Sequence, residues 1–179
     1  MMYIGGEKRL LVNEIVKLGL NKYFYSVDLD KVNFGFGDSL SMHIESGCIP
    51  VKSTGLYAIY GIDSKSQENC LYVGESNWCV NQRIRRFFKE LAYCSHPDEE
   101  HAGARRARES GYTIESHTYK VKYVSWSEIY DIQKKLNNTA DYHDLDEYIA
   151  HHLKSKYNSS TYPLYGYNGA TLKEFLEAA

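Results

Sequence analysis

Two short apolar runs flanking a polar, turn-rich gap constrain this chain more than any other feature. Residues 55–62 read GLYAIYGI and residues 70–74 read CLYVG, with DSKSQEN between them. Runs of this length, rich in β-branched and aromatic residues and bounded by turn formers, read as strands. The simplest connection between them is an antiparallel hairpin. Residues 112–124 hold Tyr119, Val121 and Tyr123 in alternation and predict a third strand.

Helical spacing fills most of the remainder. Residues 79–93 (CVNQRIRRFFKELAY) put Ile84, Phe87, Phe88 and Leu91 on one side. Residues 7–20 give an amphipathic helix ending at Gly19, and residues 99–110 a basic helix stopped at Gly111. Residues 126–136 and 143–156 predict two more helices, and 170–178 a short final one after a loop marked by Pro163 and Gly166. The GFG and SGCIP breakers in residues 21–53 predict short strands and loops. This order places the chain in the α+β class, with a small three-stranded antiparallel sheet flanked by helices. Residues 1–53 form an N-terminal extension to a domain spanning 54–179.

Composition narrows the function classes. At 179 residues and 43% hydrophobic, the chain suits one core with an extension. No apolar run approaches the roughly 20 residues of a membrane span, and the start MMYIGGEKRLL carries no signal-peptide pattern. Cys48, Cys70, Cys79 and Cys94 form no CxxC pair, which points to reduced thiols in a cytoplasmic setting. The net charge of −2 argues against coating nucleic acid by bulk charge. The arginines nonetheless cluster, as Arg83, Arg85 and Arg86, then Arg105, Arg106 and Arg108.

Tyr57 in GLY, Tyr72 in YVG, Arg83 eleven residues further on, and Glu147 in YHDLDEYIAHHLKSKY together resemble the GIY-YIG nuclease family over residues 54–168. The family's three-stranded antiparallel sheet flanked by helices agrees with the elements read above. The resemblance implies a divalent-metal-dependent DNA endonuclease. Phosphodiester hydrolysis needs a nucleophilic water, a base for its proton, positive charge for the phosphorane and help for the leaving oxygen. In the family's terms Tyr57 activates the water, Tyr72 helps to hold the phosphate, Arg83 grips the scissile phosphate and Glu147 binds Mg²⁺ or Mn²⁺. Gly74 would let backbone approach the ligand. Asn168 in PLYGYNG would orient a water or a backbone group. Asp144 and Asp146 are alternatives to Glu147, although Asp146 points about 100° away from it on a helix.

Departures from the pattern are informative. Relatives carry histidine or tyrosine four residues after the motif arginine, whereas this chain has Phe87. His101, opening HAGARRARES, is the candidate replacement. On a helix it shares a face with Arg105 and Arg108, and Gly103 would allow close approach of a DNA backbone. Arg85 and Arg86 cannot both share the face of Arg83; with Arg105 and Arg108 they are expected to contact nucleic acid. Glu75 would repel phosphate unless it faces away or binds metal. A rival reading takes His143, Glu147 and His151, at i, i+4 and i+8, as zinc ligands lacking an identifiable fourth.

The expected function is a compact, self-contained DNA endonuclease, of restriction type or from a phage or mobile element. Target recognition would reside in the N-terminal segment and the loops, and a homodimer would cut both strands. The alternative is a nucleic-acid-binding module of the same fold that has lost catalysis.

Overall fold

A computed structural model of the chain describes residues 4–19, 24–28, 43–44, 52–92, 101–114, 118–142 and 145–153. Their elements are α1 (Ile4–Glu14), continued by a π-helical turn over Ile15–Gly19, then β1 (Phe24–Asp28), β2 (His43–Ile44), β3 (Gly55–Ile62) and β4 (Glu68–Ser76). The helices α2 (Val80–Ala92) and α3 (Ala102–Glu109) follow, then β5 (Thr118–Ser125), α4 (Trp126–Leu136) and α5 (Leu145–His152).

The α+β class holds, and its core is the antiparallel trio β5-β3-β4. The sheet is wider than the sequence predicts: β1 and β2 extend it to five strands, ordered β2-β1-β5-β3-β4 and antiparallel throughout. Both added strands come from the breaker-rich segment before residue 53, where short runs leave little periodicity to read. Strand β4 is also longer than its apolar run, because its polar ends pair with β3 as far as Ile62–Glu68 and Gly55–Ser76.

Local chemistry fixes the turns. Asp63 Oδ1 accepts hydrogen bonds from the backbone N–H of Lys65 and Gln67, both at 2.9 Å, and so closes the β3–β4 loop as an Asx turn. Strand β5 passes into α4 without a loop. Ser125 Oγ accepts from Glu128 N while the Glu128 carboxylate accepts from Ser125 N, a reciprocal capping box. Asn137, in left-handed conformation at φ 51°, ends α4.

Helices cover both faces of the sheet. On one face Leu11, Val12 and Ile15 of the N-terminal helical segment join Ile129 and Ile132 of α4 and Leu145 and Ile149 of α5 over Leu56, Ala58, Val73 and Val124. The N-terminal segment therefore completes this core. It is pinned there by Lys8, whose Nζ meets Asp141 Oδ1 at 2.9 Å, and by Glu7, whose carbonyl accepts from Asn138 Nδ2 at 2.6 Å. On the opposite face α2 lays Val80, Ile84, Phe87, Phe88 and Leu91 over Tyr57, Ile59, Tyr119, Val121 and Tyr123, with Ala104 and Ala107 of α3 beside them. The i, i+4, i+7, i+8, i+11 spacing of the α2 residues makes this stripe. Each large side chain so buried contributes about 1.5–3 kcal/mol.

One irregularity shapes the site. The β3–β4 register shifts between Ile59 and Tyr60, which pair with Tyr72 and Cys70. Leu71 is the extra residue of a β-bulge, so Leu71 and Tyr72 both join the face covered by α2 and α3. No described helix is long and apolar enough to cross a membrane.

Candidate functional site

Tyr57 and Tyr72 project from the same face of the sheet, Tyr57 opposite Gly74 and Tyr72 opposite Ile59. Their ring centroids are 6.1 Å apart. Gly74 lies within β4 rather than at its end, and a Cβ there would stand 2.7 Å from Tyr57 Oη. The missing side chain thus serves the tyrosine and not an incoming ligand. The Tyr57 ring lies across the strand in space that only glycine leaves open.

Arg83 and Arg86, exposed and one turn apart on α2, stand near the tyrosines and His101. Arg83 pulls the Tyr57 and Tyr72 phenols down, and both arginines depress His101. Arg85 has no such influence; its Nε is buried without a hydrogen-bond acceptor. Of the two neighbours of Arg83, Arg86 shares its surroundings.

His101 is the N-cap of α3, with extended backbone at φ −72° and ψ 106°. The helix starts at Ala102, not at residue 99, so His101 does not share a helical face with Arg105 and Arg108. Its ring turns inward, edge-on to Tyr72 at 4.7 Å and to Phe87 at 5.4 Å between centroids. Burial first, then Arg83 and Arg86, lowers its pKa to about 4. The imidazole is therefore neutral at pH 7, and its buried Nδ1 has no hydrogen-bond partner.

Gly103 likewise faces protein rather than solvent. A Cβ at this position would meet Tyr72 Cδ2 at 2.4 Å, so α3 crosses β4 closely enough to touch the ring only because residue 103 is glycine. That crossing decides which arginines matter. Arg106, one turn on from Gly103, acts on Tyr72. Arg105 is exposed, and Arg108 donates through Nη1 to the carbonyl of Glu90 near the end of α2. Helical periodicity alone does not say where α3 touches the sheet, so the sequence does not single out Arg106.

Carboxylates enter from α5, which packs on β4. Asp146 and Glu147 both push the Tyr72 phenol up, Asp146 more strongly, and Asp146 alone of the two acts on Tyr57. The Glu147 Oε2 atom is closed off from solvent. Asp146, expected to point away, is the carboxylate that bears more on the tyrosines. Burial is nevertheless the main reason that both phenols stay well above their usual range, and Tyr57 is only 1% exposed.

A cleft of about 290 Å³ adjoins this group, lined by Glu75, Ser76, Asn77, Trp78, Cys79, Gln82 and Arg83. Glu75 thus lies on the same hollow as Arg83. Among the described residues no three histidine, cysteine or acidic side chains gather as a metal cage. The Asp146–Glu147 pair offers hard oxygen donors of the kind that suit Mg²⁺, which takes one or two carboxylates and keeps several waters. Asn168, Asp144 and His143 lie outside the described residues, as does the side chain of His151.

The Tyr57 and His101 rings thus neighbour Tyr72; Arg83, Arg106, Asp146 and Glu147 act on it electrostatically, and Arg86 acts on His101 beside it. The group is supplied by β3, β4, α2, α3 and α5. No protein-family model, curated protein or solved structure matches the chain.

Proposed function

We propose that the chain is a divalent-metal-dependent endonuclease of the GIY-YIG type that hydrolyses DNA phosphodiester bonds. The observation that carries the reading is that Arg83, Asp146 and Glu147 all act on the neighbouring Tyr57–Tyr72 pair, five residues brought in by four separate elements. Sheet packing alone explains two neighbouring tyrosines but gives no reason for charged groups of both signs around them.

In this reading Arg83 grips two oxygens of the scissile phosphate, and Arg86 and Arg106 add charge for the phosphorane. Burial keeps both phenols protonated at neutral pH, so Tyr57 and Tyr72 donate hydrogen bonds to phosphate or water oxygens. In this reading His101, unprotonated at neutral pH, takes over from Tyr57 the role of base for the attacking water. An arriving phosphate offsets Arg83 and Arg86, which raises the basicity of His101 when it is needed. Asp146 and Glu147 would hold the Mg²⁺, whose chemistry is electrostatic, positive charge beside the leaving oxygen. Restriction-type action on both strands of a duplex would require a homodimer.

The test is cleavage of a long mixed-sequence DNA duplex with Mg²⁺ and with EDTA, comparing wild type and Glu147→Ala. Discrete Mg²⁺-dependent fragments that disappear in the variant are expected. Salt-sensitive binding with no cleavage by the wild-type protein would instead favour a binding module without catalysis. Phe87, apolar where relatives carry a polar group, is the observation behind that second reading.

A further inference from the structure

We infer that the cleft between β4 and α2 takes one unstacked nucleobase, with the Trp78 indole as its stacking platform. The inference rests on the nuclease reading and refines its substrate: DNA is held best where the nucleotide beside the phosphate on Arg83 is unpaired, or extruded from the duplex.

Trp78 is 80% exposed, far more than the other exposed large hydrophobic side chains among the described residues. A solitary exposed apolar side chain is ordinary, but two further features set this one apart. Its backbone is fixed: Ser76 Oγ accepts from Trp78 N at 3.3 Å and from Cys79 N at 2.9 Å, Cys79 is buried, and Val80 N donates to the Ser53 carbonyl at 2.8 Å. The indole is therefore held in solvent by an ordered connection. It also lines the 290 Å³ cleft together with Asn77, Gln82 and Arg83.

The chemistry of that lining selects a base over a phosphate. One acid, Glu75, and one base, Arg83, leave the lining with no excess positive charge to hold a phosphate inside the hollow, while the Asn77 and Gln82 amides offer donors and acceptors to a base edge. Arg83 belongs to both the cleft and the tyrosine cluster, so the phosphate it holds and the base in the cleft are neighbours on one strand. A base inside an intact duplex is stacked on both sides, so only an unpaired or extruded one can lie on the indole.

The chain holds two tryptophans, so Trp126→Phe leaves Trp78 as the only indole reporter. Its fluorescence is titrated in EDTA with a duplex carrying one unpaired nucleotide and with its fully paired counterpart. Quenching at roughly 10-fold lower concentration of the first is expected. In the wild-type background, Trp78→Ala should weaken binding of that duplex about 10-fold and of the paired one little, with Trp78→Phe recovering most of the loss. Equal quenching by both duplexes, or unchanged binding by Trp78→Ala, overturns the inference. Quenching that follows protein concentration and not DNA overturns it in favour of contact between copies. Mg²⁺-dependent cleavage run in parallel separates the two readings. Cleavage indifferent to Trp78 sinks the base site alone, and selective binding without cleavage sinks the nuclease reading alone. Absence of binding to either duplex sinks both.

Discussion

The rings of His101 and Phe87 meet edge to face with centroids 5.4 Å apart. Phe87 is one turn along α2 from Arg83, where the family pattern expects a polar group. The imidazole arrives instead from the start of α3 and also stands against Tyr72. In the proposed nuclease reading, a buried phenylalanine and a histidine from another helix together stand in for that polar group. Phe87 supplies the apolar wall, and His101 the nitrogen.

His101→Gln is expected to lower the cleavage rate about 100-fold or more, since it removes the proton acceptor. Affinity for DNA in EDTA should stay within about twofold, because charge at neutral pH is unchanged. The pH profile separates this from a structural role. In the free protein the acidic limb governed by His101 lies near pH 4. In the complex, phosphate offsets Arg83 and Arg86 and moves that limb upward, so kcat should fall off at higher pH than kcat/KM. Coincident limbs, or a variant with wild-type rate, would rule His101 out as the base.

The same residue makes stability depend on pH. Its folded pKa of about 4 lies below the 6.5 of the unfolded chain. The unfolded state therefore binds the extra proton first as acid is added. The contribution is fully present above pH 6.5 and is lost as the pH falls toward 4. Between pH 7 and pH 5 it amounts to about 2 kcal/mol. Burial against Tyr72 and Phe87 and the charges of Arg83 and Arg86 outweigh the one opposing influence, a backbone hydrogen bond of His101 itself, so the sign stands. Urea unfolding at the two pH values, on wild type and His101→Gln, measures the difference. Equal pH dependence in both proteins would show that His101 is solvated. His152, also depressed by burial, acts in the same direction and cancels in the comparison.

Much of this arrangement is legible in the sequence, and the unread part has a common cause. The β3–β4 hairpin, the Tyr119–Val121–Tyr123 strand and helix 126–136 follow from spacing, and α4 has those bounds. Short strands are expected in residues 21–53, and β1 and β2 lie there, but segments of two to five residues carry too little pattern to give their bounds or to show that they widen the sheet. Leu71 as a bulge residue depends on the β3–β4 register, and Gly103 against Tyr72 and Arg106 ahead of Arg105 depend on how α3 crosses β4. Such a crossing is a tertiary fact that no single helix encodes. Helical geometry ranks Asp146 as an alternative pointing away from Glu147, yet α5 sits on the edge strand β4, and both carboxylates act on Tyr72.

The two inward-facing glycines give a stability test with an internal control. Gly103→Ala places a methyl 2.4 Å from Tyr72 Cδ2, and Gly74→Ala places one 2.7 Å from Tyr57 Oη. Either ring, or the backbone carrying it, must shift, so each change should destabilise by about 1–3 kcal/mol and reduce cleavage with it. Gly6→Ala, in α1 with nothing within 4 Å of the added carbon, should stabilise by about 0.5–1 kcal/mol. Thermal unfolding decides. A neutral Gly103→Ala would mean that α3 does not rest on Tyr72.

The carboxylates of α5 supply the sharpest division between catalysis and binding. Asp146→Asn and Glu147→Gln each keep size and lose one negative charge beside Tyr72. If the pair holds the metal, each variant should need about 10-fold more Mg²⁺ for half-maximal cleavage, with a lower rate at saturation. Removing a negative charge near the phosphate should at the same time leave DNA affinity in EDTA unchanged or slightly tighter. Asp146→Asn should also relieve the larger acidic influence on Tyr72, making it at least as damaging as Glu147→Gln. Magnesium titrations of cleavage beside EDTA binding isotherms measure both effects. A variant that loses cleavage and DNA binding together would assign its carboxylate to holding the fold. Two variants with wild-type Mg²⁺ dependence would place the metal elsewhere.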